Sequence, residues 1–113
     1  MTRDEYLDHC RSICGAVVDC PFEEEFDTYA ARHSDTKKWF ALVLDVGGKP
    51  AVNLKCDPME ADFLRNAFEG VIPAYHMNKI HWNTVFLDSD VPEEEIIRMT
   101  ENSFMLTSRK KRR

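Results

Sequence analysis

Apolar residues recur along this chain with two periods, and the switches between them mark its elements. Tyr6, Leu7, Cys10, Ile13 and Cys14 fall three and four apart, the spacing of one helix face. Thr2-Arg3-Asp4-Glu5 ahead of them has the form of a capping box. Gly15 behind them offers a stop, so a helix is predicted over about 3–14. Cys20-Pro21-Phe22 opens an extended region, and a first strand is expected over Phe26–Ala31. Asp35, Thr36 and Lys37 form a turn before the apolar strand Trp39–Leu44. Gly47-Gly48-Lys49-Pro50 has hairpin chemistry and Ala51–Cys56 returns, which makes residues 38–56 an antiparallel hairpin.

The second half repeats the alternation of periods. Asp57 is a good helix cap, Pro58 suits the first helical position and Glu60 is placed to close a capping box. Phe63, Leu64, Ala67 and Phe68 supply the apolar stripe of a helix over 58–69 that Gly70 ends. Pro73 restricts the next segment to a short or edge strand. Residues 80–88 alternate: Ile80, Trp82, Thr84 and Phe86 share one side, His81, Asn83, Val85 and Leu87 the other. Val85 and Leu87 make the better core pair, being aliphatic, which turns Trp82 outward together with Lys55 from the strand before. Pro92-Glu93-Glu94-Glu95 is an acidic first turn, followed by Ile96, Ile97, Thr100 and Phe104 as the inner stripe of a helix over 92–106. The predicted fold is α+β, a single antiparallel sheet in the order α-β(3)-α-β(2)-α with helices mainly on one face.

Charge divides the chain. Net charge is −5, yet Arg109, Lys110, Lys111, Arg112 and Arg113 are all cations, so residues 1–108 carry −10. The expected organisation is one domain over 1–108 and a basic, disordered tail over 109–113. An acidic body is a poor electrostatic match for nucleic acid, which rewards clustered cations. With 43% apolar residues and twelve aromatics, a chain of 113 residues can fill one core. No apolar run is long enough to span a membrane, and the polar start MTRDEYLDH is unlike a signal peptide, so a cytoplasmic location is expected.

Catalytic chemistry has little to stand on. Ser12, Ser34, Ser89, Ser103 and Ser108 lie in no nucleophile elbow, and neither a phosphate loop nor an HExxH is present. Cys10 and Cys14 sit one helical turn apart and read as small core residues, not as metal ligands. His76 and His81 have no Cys or acid between them. A non-enzyme without metal or cofactor is expected.

Three runs carry a family resemblance: Asn53-Leu54-Lys55-Cys56-Asp57-Pro58, Pro73-Ala74-Tyr75-His76-Met77-Asn78-Lys79 and His81-Trp82-Asn83-Thr84-Val85. With Val91-Pro92-Glu93-Glu94-Glu95 and Asn102-Ser103-Phe104 they resemble the MmcQ/YjbR family over nearly the whole chain before the tail. The resemblance implies a compact, secretion-chaperone-like fold of the order already read from the elements, and DNA binding through a double-wing arrangement.

The candidate surface is Lys55, His76, Lys79, His81 and Trp82, with Arg109, Lys110, Lys111, Arg112 and Arg113 as a basic arm. A Trp among cations suits stacking on a base beside a phosphate. It suits a protein platform equally, and Tyr75, His76 and Trp82 could instead line a small-ligand pocket. The bland alternative has Trp82 roofing the core and both histidines bonded to backbone. The expected partners are DNA, bound weakly and unspecifically, or a protein met by a chaperone-like adaptor, the chain itself being a monomer or weak dimer.

Overall fold

The computed structural model describes residues 1–21 and 28–108. Three helices and six strands follow in the order α1 (Arg3–Ser12), β1 (Ala16–Asp19), β2 (Tyr29–His33), β3 (Trp39–Val46), β4 (Lys49–Lys55), α2 (Pro58–Ala67), β5 (Val71–Pro73), β6 (Trp82–Phe86) and α3 (Glu93–Thr107). All strand pairs are antiparallel, and the sheet order is β1-β2-β3-β4-β6-β5. The α+β class is as the residues predict, but the order is α-β(4)-α-β(2)-α. β1 is the addition. Ala16-Val17-Val18-Asp19 is too short to show a period of its own, and it exists by pairing with β2 at the sheet edge. The strand expected over Phe26–Ala31 begins at Tyr29 among the described residues, Phe26 and Asp27 lying outside them.

Local chemistry explains the boundaries. Thr2 accepts from the Glu5 N–H at 3.1 Å while the Glu5 carboxylate accepts from the Thr2 N–H at 2.9 Å, closing the predicted box on α1. Asp57 accepts from the Met59 N–H at 2.9 Å at the start of α2. Glu60 does not close a second box. Its carboxylate turns to Arg98 at 3.2 Å and Asn102 at 3.5 Å, tying α2 to α3. Gly47 and Gly48 both have positive φ, +59° and +80°, the conformation of a two-residue hairpin turn that follows the sheet's twist. Gly70 does not end α2, which stops at Ala67. It is needed where it is because a Cβ there would collide with the Ser89 side chain.

One face of the sheet packs on all three helices. Ala41, Val43, Val52, Leu54, Val85 and Leu87 meet Tyr6, Leu7, Leu64, Ile96 and Met99 in a single buried cluster. α3 fits by polar as well as apolar contacts. Its buried stripe is Ile96, Met99, Thr100, Ser103 and Thr107, whereas the expected Ile97 and Phe104 are only partly buried. Thr100 meets the buried Tyr6 hydroxyl at 2.8 Å, and Thr107 meets His33 Nε2 at 2.8 Å. Ser103 donates to the Phe40 carbonyl at 2.5 Å and accepts from the Lys55 N–H at 2.9 Å. That carbonyl is available because β3 bulges at Phe40. Ala31 pairs with Ala41 and Arg32 with Trp39, so one extra residue stands in β3.

Candidate functional site

The bulge sets which way Trp39 points. Without it, Trp39 would share the helix face with Ala41 and Val43. With it, Trp39 is the direct partner of Arg32, and Arg32 alternates with the core residue Ala31. Both therefore stand on the face without helices. On the other side of the sheet centre, Lys55 and Trp82 are direct partners in β4 and β6 and stand side by side on that same open face. Lys55 follows Leu54 by one residue and Trp39 precedes its partner Ala41 by two, which brings the two cation–tryptophan pairs to the same end of the sheet. All four side chains are partly buried. Arg32 is held by Asp19 of β1 at 2.6 Å.

A loop, residues 74–81, folds over the next row of this face. The Tyr75 N–H donates to Thr84 Oγ1 at 2.9 Å, the Thr84 hydroxyl donates to Asn53 Oδ1, and Asn53 Nδ2 donates to the Tyr75 carbonyl at 2.8 Å. These three bonds close a ring, so Asn53 and Thr84 are fully buried with their polar groups paired. They are the neighbours, two residues along, of Lys55 and Trp82. Tyr75 is thereby fixed beside the tryptophan row with its own ring exposed, and the His76 ring lies 3.9 Å from it, centroid to centroid. His76 has φ +66°, a left-handed backbone state uncommon outside glycine, though Asn, Asp and His adopt it more often than other residues.

The far limb of the loop is latched to α2. Arg65 donates to Asn83 Oδ1 at 2.6 Å, to the Trp82 carbonyl at 3.3 Å and to the Lys79 carbonyl. Asn78 Oδ1 accepts from the N–H groups of Ile80 at 2.8 Å and His81 at 3.2 Å, so these residues turn instead of extending β6. The structure thus joins Lys55, Trp82 and His76 about one surface. Lys79 is exposed on the limb that faces α2, and the phase of β6 carried back one residue sets His81 opposite to Trp82. Arg109, Lys110, Lys111, Arg112 and Arg113 lie outside the described residues.

The electrostatics differ between faces. Asp4, Glu5, Asp8, Glu60, Asp62, Glu93, Glu94, Glu95 and Glu101 are all on the helices. Among the described strand residues in the open-face phase, Asp19 is the one carboxylate, and Arg32 neutralises it. Nine of the chain's twenty carboxylates therefore stand on the helices, against this one on the described strands of the open face. The buried thiols are poor nucleophiles. Burial and the Glu60 carboxylate push Cys56 up to about 12, and burial pushes Cys10 up to about 11. Among the described residues, no three His, Cys, Asp or Glu side chains gather to hold a metal ion, and no helix is long and apolar enough to cross a membrane.

Reasoning from the sequence missed Arg32 and Trp39. The bulge that turns them outward sits at Phe40 with no Gly or Pro to announce it. Known proteins share this architecture. The YjbR family pattern matches residues 11–106. The chain is 36% identical to the uncharacterized protein YyaQ of Bacillus subtilis (strain 168), over 95% of this chain and 98% of that one. It is 35% identical to the uncharacterized protein YjbR of Escherichia coli (strain K12), over 92% and 85% of the two chains. A crystal structure of a Pseudomonas syringae protein superposes with a TM-score of 0.89 at 35% identity, covering 96% of this chain and all of that one. One from Deinococcus radiodurans gives 0.81 at 29% identity, over 93% and 77%. By pattern, relatives and fold together, the chain belongs to the YjbR family.

Proposed function

We propose that this protein is a non-enzymatic binding module that takes nucleic acid on the open face of its sheet, weakly and without sequence preference. One observation carries the reading: two cation–tryptophan pairs, Arg32 with Trp39 and Lys55 with Trp82, stand at one end of a face whose described strand residues include one carboxylate, Asp19, itself paired with Arg32. Indole rings stack on any base, and lysine or arginine beside them meets the phosphates, which is how single-stranded nucleic acid is held without readout. The tail residues 109–113 supply five further charges.

The chain has only two tryptophans, Trp39 and Trp82, so its indole fluorescence reports on this surface alone. Titration with a long oligothymidylate at low salt is expected to quench it, with log K falling by about 0.7 per unit of log salt for each phosphate neutralised. Removing residues 109–113 should flatten that slope and leave the quenching in place. An unquenched spectrum at tens of millimolar salt would end the reading. A protein partner is the second reading, favoured by Met59 and Phe63, which are 83% and 69% exposed on the outer side of α2. It predicts that Phe63→Asp abolishes capture of that partner and leaves the fluorescence titration unchanged.

A further inference from the structure

We infer that the ligand strand crosses the β-strands instead of following them, and that its smallest full footprint is three nucleotides. This inference rests on the nucleic-acid reading above and deepens it. Val17, Arg32 and Trp39 form a line across β1, β2 and β3, and Lys55 and Trp82 continue it across β4 and β6 to the loop that carries Tyr75 and His76. The next row along the strands is closed to a ligand ring. There Ala30, Asn53 and Thr84 are fully buried and Leu42 nearly so, and Tyr75 is bonded over Asn53 and Thr84. A ring can therefore find an indole face only along the first row, perpendicular to the strands.

Spacing sets the footprint. Trp39 and Trp82 are two strands apart, with β4 between them. At about 4.8 Å per strand the two indoles are roughly 10 Å apart. Successive bases of a stacked strand lie only about 3.4 Å apart and hide their faces from one another. Two neighbouring bases thus cannot serve both indoles. A splayed strand reaches from Trp39 to Trp82 with one nucleotide between, whose flanking phosphates pass Lys55, which stands beside Trp82 in the same row. A duplex, its bases already stacked and paired, offers no face to either indole. The shared chemistry is a single-stranded polynucleotide, and DNA or RNA could supply it.

The experiment uses the full chain and two single-tryptophan variants, Trp39→Phe and Trp82→Phe, which keep an aromatic ring at each position and leave one reporter each. Oligothymidylates of two to six nucleotides are titrated at low salt, beside a twenty-nucleotide oligomer, a duplex of equal length and oligouridylates. The expected result is a step. The dinucleotide binds at least tenfold more weakly than the trinucleotide, and only from three nucleotides upward are both single-tryptophan variants quenched at the same ligand concentration. Whichever of oligothymidylate and oligouridylate binds more tightly names the source. If the twenty-mer is bound but the dinucleotide already quenches both reporters with equal affinity, or the duplex does so, the crossing geometry is wrong and the nucleic-acid reading survives. If the twenty-mer itself leaves both spectra unchanged, the two fall together.

Discussion

Asn53 and Asn83 sit on neighbouring strands, paired to Thr84 and Leu54 respectively, and both are buried, yet they serve opposite faces of the sheet. Asn83 points toward α2, where Arg65 donates to it and it donates to the Ala61 carbonyl at 3.3 Å. Asn53 points to the open side, where it accepts from Thr84 and donates to the Tyr75 carbonyl of a loop. The helix face is closed mainly by apolar packing, with polar groups as fasteners. On the open face the polar Asn53 and Thr84 are covered by hydrogen bonds to a loop, and at one end four side chains, Arg32, Trp39, Lys55 and Trp82, stay partly exposed. Apolar packing supplies stability, and a bonded loop supplies little of it but holds exposed rings in place.

The largest expected contrast tests that division directly. Ile96 is fully buried on the inner side of α3, and Ile96→Ala should lower stability by about 2–5 kcal/mol while folded molecules keep their fluorescence response. Trp82→Ala removes a larger side chain from the open face and should cost less than the roughly 3–5 kcal/mol of a buried aromatic truncation, yet weaken nucleic-acid binding severely. Denaturant melts and oligomer titrations of the two variants check both halves. A Trp82→Ala protein as damaged as Ile96→Ala would make Trp82 part of the core.

Next in size is the loop latch. Thr84→Val keeps the volume and removes the hydroxyl, leaving the Tyr75 N–H and the Asn53 Oδ1 without partners. An unsatisfied buried polar group costs about 1–3 kcal/mol. The local consequence should exceed the global one. Amide exchange at Tyr75 is expected to accelerate strongly, exchange in β3 to change little, and binding to weaken because Tyr75 and His76 lose their fixed position. Equal acceleration in both places would mean that the loop is part of the core fold.

The helix face also holds a group whose charge matters. His33 is buried, stacked at 4.2 Å on Phe104 and bonded to Thr107. Burial lowers its pKa, against a smaller opposing influence from Asp35 and alongside one from Lys38. The unfolded chain, near the usual value of about 6.5, then takes up the proton first as pH falls. His33 should therefore leave stability intact above that value and reduce it progressively below, as pH approaches the folded-state pKa. Urea melts from pH 8 to 5 check the sign, and His33→Phe should flatten the profile.

The fold was legible where local chemistry decides it: the capping box at Thr2, the Asp57-Pro58 start of α2, the Gly47-Gly48 hairpin and the edge position forced by Pro73. The outward phase of Trp82 and Lys55 could be read because each strand's apolar residues chose a side. Three features could not. β1 is too short to announce itself and exists only through its pairing with β2. The bulge at Phe40 depends on Ser103, 63 residues away, to satisfy its carbonyl. Thr84 looked like an ordinary outward-facing strand residue, because only the fold shows a loop bonded over it. Each depends on contacts between separate segments, to which periodicity and propensity are blind.

The smallest effect on stability should come from His76, and it separates the two roles most cleanly. Its φ of +66° suits glycine, which has no Cβ to strain. His76→Gly relieves roughly 1–2 kcal/mol of left-handed strain, offset in large part by the greater chain entropy that glycine loses on folding, about 0.5–1 kcal/mol. The melting temperature should therefore stay the same or rise slightly. The same change deletes the ring that lies against Tyr75 beside the tryptophan row. If that ring belongs to the binding surface, oligomer affinity falls several-fold in a protein that is no less stable. His76→Asn, which tolerates the same backbone and also lacks the ring, should reproduce the loss. Affinity unchanged in both variants would remove His76 from the site and leave the face to Trp39, Lys55 and Trp82. A lowered melting temperature in His76→Gly would mean that the ring's contact with Tyr75 stabilises the loop by more than the strain costs.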